Sequence, residues 1–261
     1  MDLGLAGKRA LITGAGRGIG RAVAEVLAAE GCELVLASRG HAALEDLGAT
    51  LRARYPGRAI ELHVCDLSQP AAQAALAAAC PGIDILVNNA GANPPGALTA
   101  IDDAAWRAAW DLKVFGFINM TRHVYAGMAA RGGGVVVNVI GAAGERMNAA
   151  YIVGSTGNAG LMAFTRALGA AAPADGVRVV GINPGLTATD RAQMLVRTWS
   201  ETTFGDAQRW RELPQVRALP FGRMCEPQEV ADLVAFLASP RAGYISGTIV
   251  TIDGGAVNRH D

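Results

Sequence analysis

The chain has 261 residues, 51% of them hydrophobic, with 23 basic and 23 acidic side chains and a formal charge of zero. That is enough apolar material for one sizeable α/β core, and there is no basic stripe for nucleic acid and no charged tail. No apolar run approaches the ~20 residues of a membrane-spanning helix, and no charged segment leads into an apolar one at Met1–Leu5, so no signal peptide is expected.

Residues 9–13 are a short apolar run that ends at glycines, and residues 19–29 then carry Ile19, Val23, Val26 and Leu27 at helical spacing. Residues 33–38 follow as a second strand, completing a βαβ unit. The alternation continues: helix over 42–54, strand over 59–65, Ala-rich helix over 70–79, strand over 83–88. One long helix is expected over 103–130. Then come a β-branched strand over 135–140, a helix over 151–172 and a strand over 177–182. A helix over 227–238 and a last strand over 248–252 close the chain. Strands alternating with helices predict a single doubly wound Rossmann-type α/β domain, its parallel sheet flanked by helices. No repeat or composition break divides residues 1–261. Residues 186–226 read as irregular, and a segment that long, carrying Trp199, Phe204 and Trp210, is expected to be a substrate lid.

The first strand-to-helix turn is Thr13-Gly14-Ala15-Gly16-Arg17-Gly18-Ile19-Gly20. Glycines there permit a tight turn and close approach of a pyrophosphate, and the helix start supplies free N–H groups. The second strand ends Ala37-Ser38-Arg39, with no acid to bond a ribose diol. Arg17 and Arg39 would instead form two forks for a 2′-phosphate. The expected cofactor is therefore NADP(H), with NAD(H) the alternative.

Further motifs follow in order: Cys65-Asp66-Leu67, Asn88-Asn89-Ala90-Gly91, Pro184-Gly185 with Thr187 and Thr189, Pro220-Phe221-Gly222-Arg223, Ser246-Gly247 and Ile252-Asp253-Gly254-Gly255. Together they make the chain resemble the short-chain dehydrogenase/reductase family over roughly residues 5–255. The resemblance implies that Asp66 and Leu67 meet the adenine, that Asn89, Ala90 and Gly91 line the dinucleotide, and that Pro184, Gly185 and Thr187 lie beside the nicotinamide. It also implies subunit pairing through the 103–130 and 151–172 helices, the latter rich in Gly154, Gly157, Ala159 and Gly160, giving a homotetramer or homodimer.

The family's catalytic groups are Asn, Ser, Tyr and a Lys four residues after the Tyr. Tyr151 matches the Tyr, which puts Ser155 at the Lys position. Aligning the strand before it puts Gly141 at the Ser position, and Lys113 stands where Asn is usual, seven residues after Trp106. A lone phenol titrates near ~10 and is a poor base at neutral pH without a nearby cation. Lys113 falls on the apolar stripe Trp106, Trp110, Phe117, Val124, Met128. It either reaches Tyr151 or the substrate as the missing cation, or runs along the helix to solvent or to a neighbouring subunit. Asn158 is two helical turns beyond Tyr151 and could serve the cofactor, the substrate or helix packing.

His41, His63, His123 and His260 are scattered, and Cys32, Cys65, Cys80 and Cys225 form no CxxC pair, so no metal ligands are expected. Thiols of this kind suit a cytoplasmic protein. The functional expectation is an oxidoreductase acting on an alcohol/carbonyl pair, with a small, partly apolar substrate and Tyr151 moving the proton. The alternatives are other chemistry on the same fold (imine or alkene reduction, elimination, isomerisation) or a non-catalytic dinucleotide binder.

Overall fold

The computed structural model describes residues 1–259, so His260 lies outside the described residues. Seven strands form one parallel sheet: β1 (Arg9–Thr13), β2 (Glu33–Ser38), β3 (Ile60–Val64), β4 (Ile85–Asn88), β5 (Gly134–Val139), β6 (Val177–Pro184) and β7 (Ile249–Ile252). Their order across the sheet is β3-β2-β1-β4-β5-β6-β7. All seven stand where the sequence places strands, and the central ones are apolar runs because a parallel sheet covered on both faces buries most of their residues.

Alternate strand residues feed two apolar layers. Ala10, Ile12, Leu34 and Leu36 face a cluster built with α1 (Gly18–Ala29), α2 (His41–Arg54) and α9 (Pro227–Ala238). Leu11, Val35, Ala37, Leu86 and Val136 face the opposite cluster, which takes in Leu76 of α3 (Pro70–Ala79) and Met120, Val124 and Met128 of α5 (Gly116–Ala130). The chain crosses from the β3 edge back to β4 beside β1. That reversal opens a crevice at the carboxyl ends of β1 and β4, where this class of sheet holds ligands.

Two expectations change. The 103–130 segment is not one regular helix: α4 (Asp103–Trp110) passes into a π-helical turn over Asp111–Phe115 before α5 begins. The wider turn rotates the face it presents, and Lys113 sits in its middle. Residues 186–226 are not irregular either. They hold α7 (Asp190–Phe204), a 3-10 turn over Ala207–Glu212 and α8 (Pro214–Arg217). Trp199, Phe204 and Trp210 pack with Val196, Leu213, Val216 and Met224 into a cluster of that segment's own. These aromatics fold the segment; they are not spread over its surface.

Candidate active site

Thr13, 1% exposed at the end of β1, organises the dinucleotide end. Its hydroxyl donates to the Val87 carbonyl at 3.3 Å and accepts the backbone N–H groups of Asn89 (2.9 Å) and Ala90 (3.1 Å). Asn89 returns its side-chain amide to the carbonyls of Thr13 (3.1 Å) and Gly14 (3.3 Å). The loops after β1 and β4 are thus stapled together, and Asn89 spends its amide on that staple. The glycines are fixed by the same crowding. A Cβ on Gly20 would stand 2.3 Å from the Gly14 carbonyl oxygen, and one on Gly14 would stand 2.9 Å from Ala90 Cα. Gly14 and Gly18 also have φ of +66° and +57°, which disfavour any side chain.

α1 opens with Arg17 as its N-cap, makes no side-chain cap bond and has no acid in its first turn. The starting N–H groups of Gly18, Ile19 and Gly20 are left to an outside anion, and Ile19 anchors the turn on the core. This cradle fits a pyrophosphate. Around it, Gly16 approaches Ser38, where an added Cβ would lie 3.2 Å from the Ser38 hydroxyl. Arg17 and Arg39 are both exposed. The Asp66 carboxyl lies below its usual range, chiefly because the Ser68 N–H donates to it at 3.0 Å, with Arg39 adding a smaller pull. Asp66 and Arg39 therefore flank one rim. Leu67 turns its side chain into the core, and its carbonyl accepts from Gln73 Nε2 at 2.7 Å.

At the other end, Pro184 closes β6, and the N–H of Gly185 donates to the Ile252 carbonyl at 3.0 Å. Thr187 is buried and donates its hydroxyl to the Gly185 carbonyl at 3.1 Å. Two residues on, Thr189 caps α7 by accepting the N–H of Ala192. Its methyl would lie 3.0 Å from a Cβ on Gly18. The start of the 186–226 segment therefore rests directly on the glycine loop.

Between these ends lies Lys113, 6% exposed. Its stem crosses Gly91, where an added Cβ would stand 2.3 Å from Lys113 Cδ. Its amine donates to the Val139 carbonyl at 2.8 Å and lies 4.3 Å from the Phe117 ring centre. The side chain thus bridges the carboxyl ends of β4 and β5 and does not run to solvent. No hydrogen bond joins it to Tyr151 among the described residues; the bond its amine makes goes to the strand carbonyl. No acid partners it among the described residues, and burial pulls its pKa from 10.5 down to about 7.

Tyr151 is the N-cap of α6 (Ile152–Ala171), just outside the helix. Its ring lies across Gly154, where a Cβ would stand 2.0 Å from Tyr151 Cε1. Ser155, buried, turns away to the preceding loop: its hydroxyl accepts the Asn148 N–H at 3.0 Å and donates to the Asn148 carbonyl at 3.3 Å. The α6 side chain that faces Gly141 is Asn158, whose Nδ2 donates to the Gly141 carbonyl at 3.2 Å. The Asn158 Oδ1 atom is buried with no hydrogen-bond partner among the described residues. Gly141 has φ of +129° and donates its N–H to Asn183 Oδ1 at 3.3 Å; Asn183 in turn donates to Glu145 Oε1 at 2.6 Å. Spacing from Tyr151 pointed to Asn158, whereas Asn183 and Glu145 carry no such signal, because their contacts depend on the return of β5 and β6. Gly157 of α6 packs within the chain, against Val114 and Trp110, while Gly160 faces open space.

Residues 14–257 match a family described as enoyl-(acyl carrier protein) reductase. The chain is 34% identical over 258 residues to a 3-oxoacyl-(acyl-carrier-protein) reductase of Vibrio harveyi, covering 97% of this chain and 98% of that protein. It is 35% identical over 263 residues to a galactitol 2-dehydrogenase (L-tagatose-forming) of Cereibacter sphaeroides, covering 96% and 95%. L-sorbose reductase from Gluconobacter frateurii, solved with NADPH and L-sorbose, superposes over the full length of both chains with a TM-score of 0.92 at 30% identity. A 7α-hydroxysteroid dehydrogenase solved with NADH and 7-oxo glycochenodeoxycholic acid covers 97% of this chain and 96% of its own, with a TM-score of 0.85 at 28% identity. Coverage of whole chains by oxidoreductases of one architecture, together with the glycine cradle, assigns this protein to the short-chain dehydrogenase/reductase family.

Proposed function

We propose that this protein is an NADP(H)-dependent oxidoreductase acting on an alcohol/carbonyl pair through a proton-transfer site centred on Lys113 and Tyr151. The observation that carries the reading is the buried lysine. An amine with a pKa of about 7, wedged between Gly91 and the end of β5, exchanges a proton at neutral pH. The dinucleotide, when bound, supplies the hydride chemistry. The chain's residues hold it: Gly14, Gly16, Gly18, Ile19 and Gly20 cradle the pyrophosphate. Ser38, Arg39 and Arg17 take the 2′-phosphate, and Asp66 the adenine rim. Leu67, Asn89, Ala90, Pro184, Gly185 and Thr187 shape the walls. Asn158 Oδ1, buried and unpartnered, accepts from a ligand hydroxyl. Lys113 holds or releases a proton at Nζ, and the Tyr151 hydroxyl, which no protein group engages among the described residues, donates to the substrate oxygen. The 186–226 segment, seated on Gly18 through Thr189, covers a small, partly apolar substrate. Pairing through α5 and α6 would give the homotetramer or homodimer.

Steady-state oxidation of NADPH with a panel of ketones and aldehydes tests this. Tyr151→Phe and Lys113→Met are each expected to lower kcat about 10²-fold or more while leaving NADPH affinity within a few-fold. Unchanged rates in both variants would remove these groups from the chemistry. A second reading, dinucleotide binding without turnover, is favoured by one arrangement. Asn158 is the α6 residue that faces Gly141, and the position four before it is Gly154, covered by the Tyr151 ring. On that register a glycine stands where the proton donor of the family would be. Tight NADPH binding with no oxidation across the panel would select it.

A further inference from the structure

On the opposite flank of the sheet, three side chains with metal-binding atoms come together. β3 is an edge strand, and Glu61 and His63, two residues apart, share one of its faces. α3 packs over that face and ends at Cys80, its C-cap residue. The ligand atoms of Glu61, His63 and Cys80 all lie within 4.8 Å of one another. His63 Nε2 is 3.3 Å from Cys80 Sγ and 3.7 Å from Glu61 Oε2. Zinc bonds of about 2.3 Å to sulfur and about 2.0–2.2 Å to nitrogen and oxygen, at tetrahedral angles, set their ligand atoms about 3.3–3.6 Å apart. The two distances from His63 Nε2 already stand close to that spacing.

The surroundings orient them. Arg9 of β1 bonds the Pro81 carbonyl and also donates to Glu61 Oε1 at 2.6 Å. That bond fixes one carboxylate oxygen and leaves Oε2 on the side of His63, the outer-shell support a metal-binding carboxylate needs. Cys80 is 2% exposed, whereas the His63 and Glu61 side chains are 27% and 42% exposed, so the cluster is closed on the core side and open to solvent on the other. Thiolate, imidazole and carboxylate together suit a borderline-soft divalent ion.

We propose that Glu61 Oε2, His63 Nε2 and Cys80 Sγ form a zinc-binding site, separate from the dinucleotide crevice, with the fourth position taken by water. The metal would tie the edge strand β3 to the end of α3 and displace the proton shared between Cys80 and His63.

Titrating the reduced full-length protein with Co²⁺ tests the site. One equivalent is expected to produce a thiolate-to-cobalt charge-transfer band that Zn²⁺ abolishes. Cys80→Ser is expected to lose the band. His63→Gln, on the more exposed side, is expected to weaken Co²⁺ binding about 100-fold or more, with the circular dichroism spectrum of the native chain retained. No charge-transfer band in the wild type, a band that survives Cys80→Ser, or unchanged affinity in His63→Gln would overturn the proposal. The cluster would then be a Cys–His hydrogen bond beside an Arg–Glu pair.

Discussion

Replacing Lys113 by Met isolates the cost of burying an ionisable amine. The lysine titrates at about 7 when folded and at 10.5 as a free side chain, with burial as the cause. Below about pH 7 both states are protonated, and the folded state carries the full penalty. Each pKa unit is worth about 1.4 kcal/mol, so that penalty is about 5 kcal/mol. Between the two pKa values the unfolded chain holds a proton that the folded chain does not. Stability therefore rises with pH across that window, and the penalty is gone above 10.5. Met fills similar space without a charge. It leaves the Val139 carbonyl without its donor, at a cost of about 1–3 kcal/mol that does not vary with pH. Urea unfolding of both proteins, at one protein concentration and without cofactor, gives the difference curve. The wild type is expected to gain about 2 kcal/mol on Lys113→Met between pH ~7 and ~9. Other titrating groups, such as the Cys32 thiol pushed up to about 12, cancel in that difference. A difference that stays flat across the window would refute the reasoning, because Lys113 would then keep its charge in the folded state.

Gly20→Ala is expected to abolish dinucleotide binding and lower the unfolding temperature, since its methyl would sit 2.3 Å from the Gly14 carbonyl oxygen, and calorimetric titration with differential scanning checks both effects. Arg39→Asp is expected to weaken NADPH binding about 10-fold or more while sparing NADH, read as the ratio of the two dissociation constants. Ser155→Ala removes the bonds that hold the Asn148 backbone against α6. It is expected to cost about 1 kcal/mol in urea unfolding, with NADPH affinity unchanged. If Ser155 touched the cofactor, that affinity would fall instead.

The sheet was legible because its strands are nearly continuous apolar runs, such as Ile85–Asn88 and Val135–Val139, bounded by glycine or charge. The glycine cradle was legible because its residue types are dictated by backbone crowding that no side chain tolerates. The π-helical turn at Asp111–Phe115 was not, since one wider turn leaves the surrounding helical spacing almost intact. The helices of 186–226 were missed because α7 buries only Val196 and Ser200 and displays charge elsewhere. The contact between α6 and Gly141 was not legible from counting along the helix. Counting four from Tyr151 reaches Ser155, whereas the helix axis brings Asn158 to the strand end. Glu61 and His63 share a strand face, but no spacing ties Cys80 to them, because the crossover from β3 through α3 creates that proximity.

The central claim is that the crevice between β1 and β4 is built for a phosphorylated nicotinamide dinucleotide. Calorimetric titration of the purified protein with NADPH and with NADH tests it most directly. One site per chain is expected, with NADPH bound at least about 10-fold tighter than NADH, as two guanidinium groups on a 2′-phosphate require. Tighter binding of NADH, or no binding of either, would contradict it.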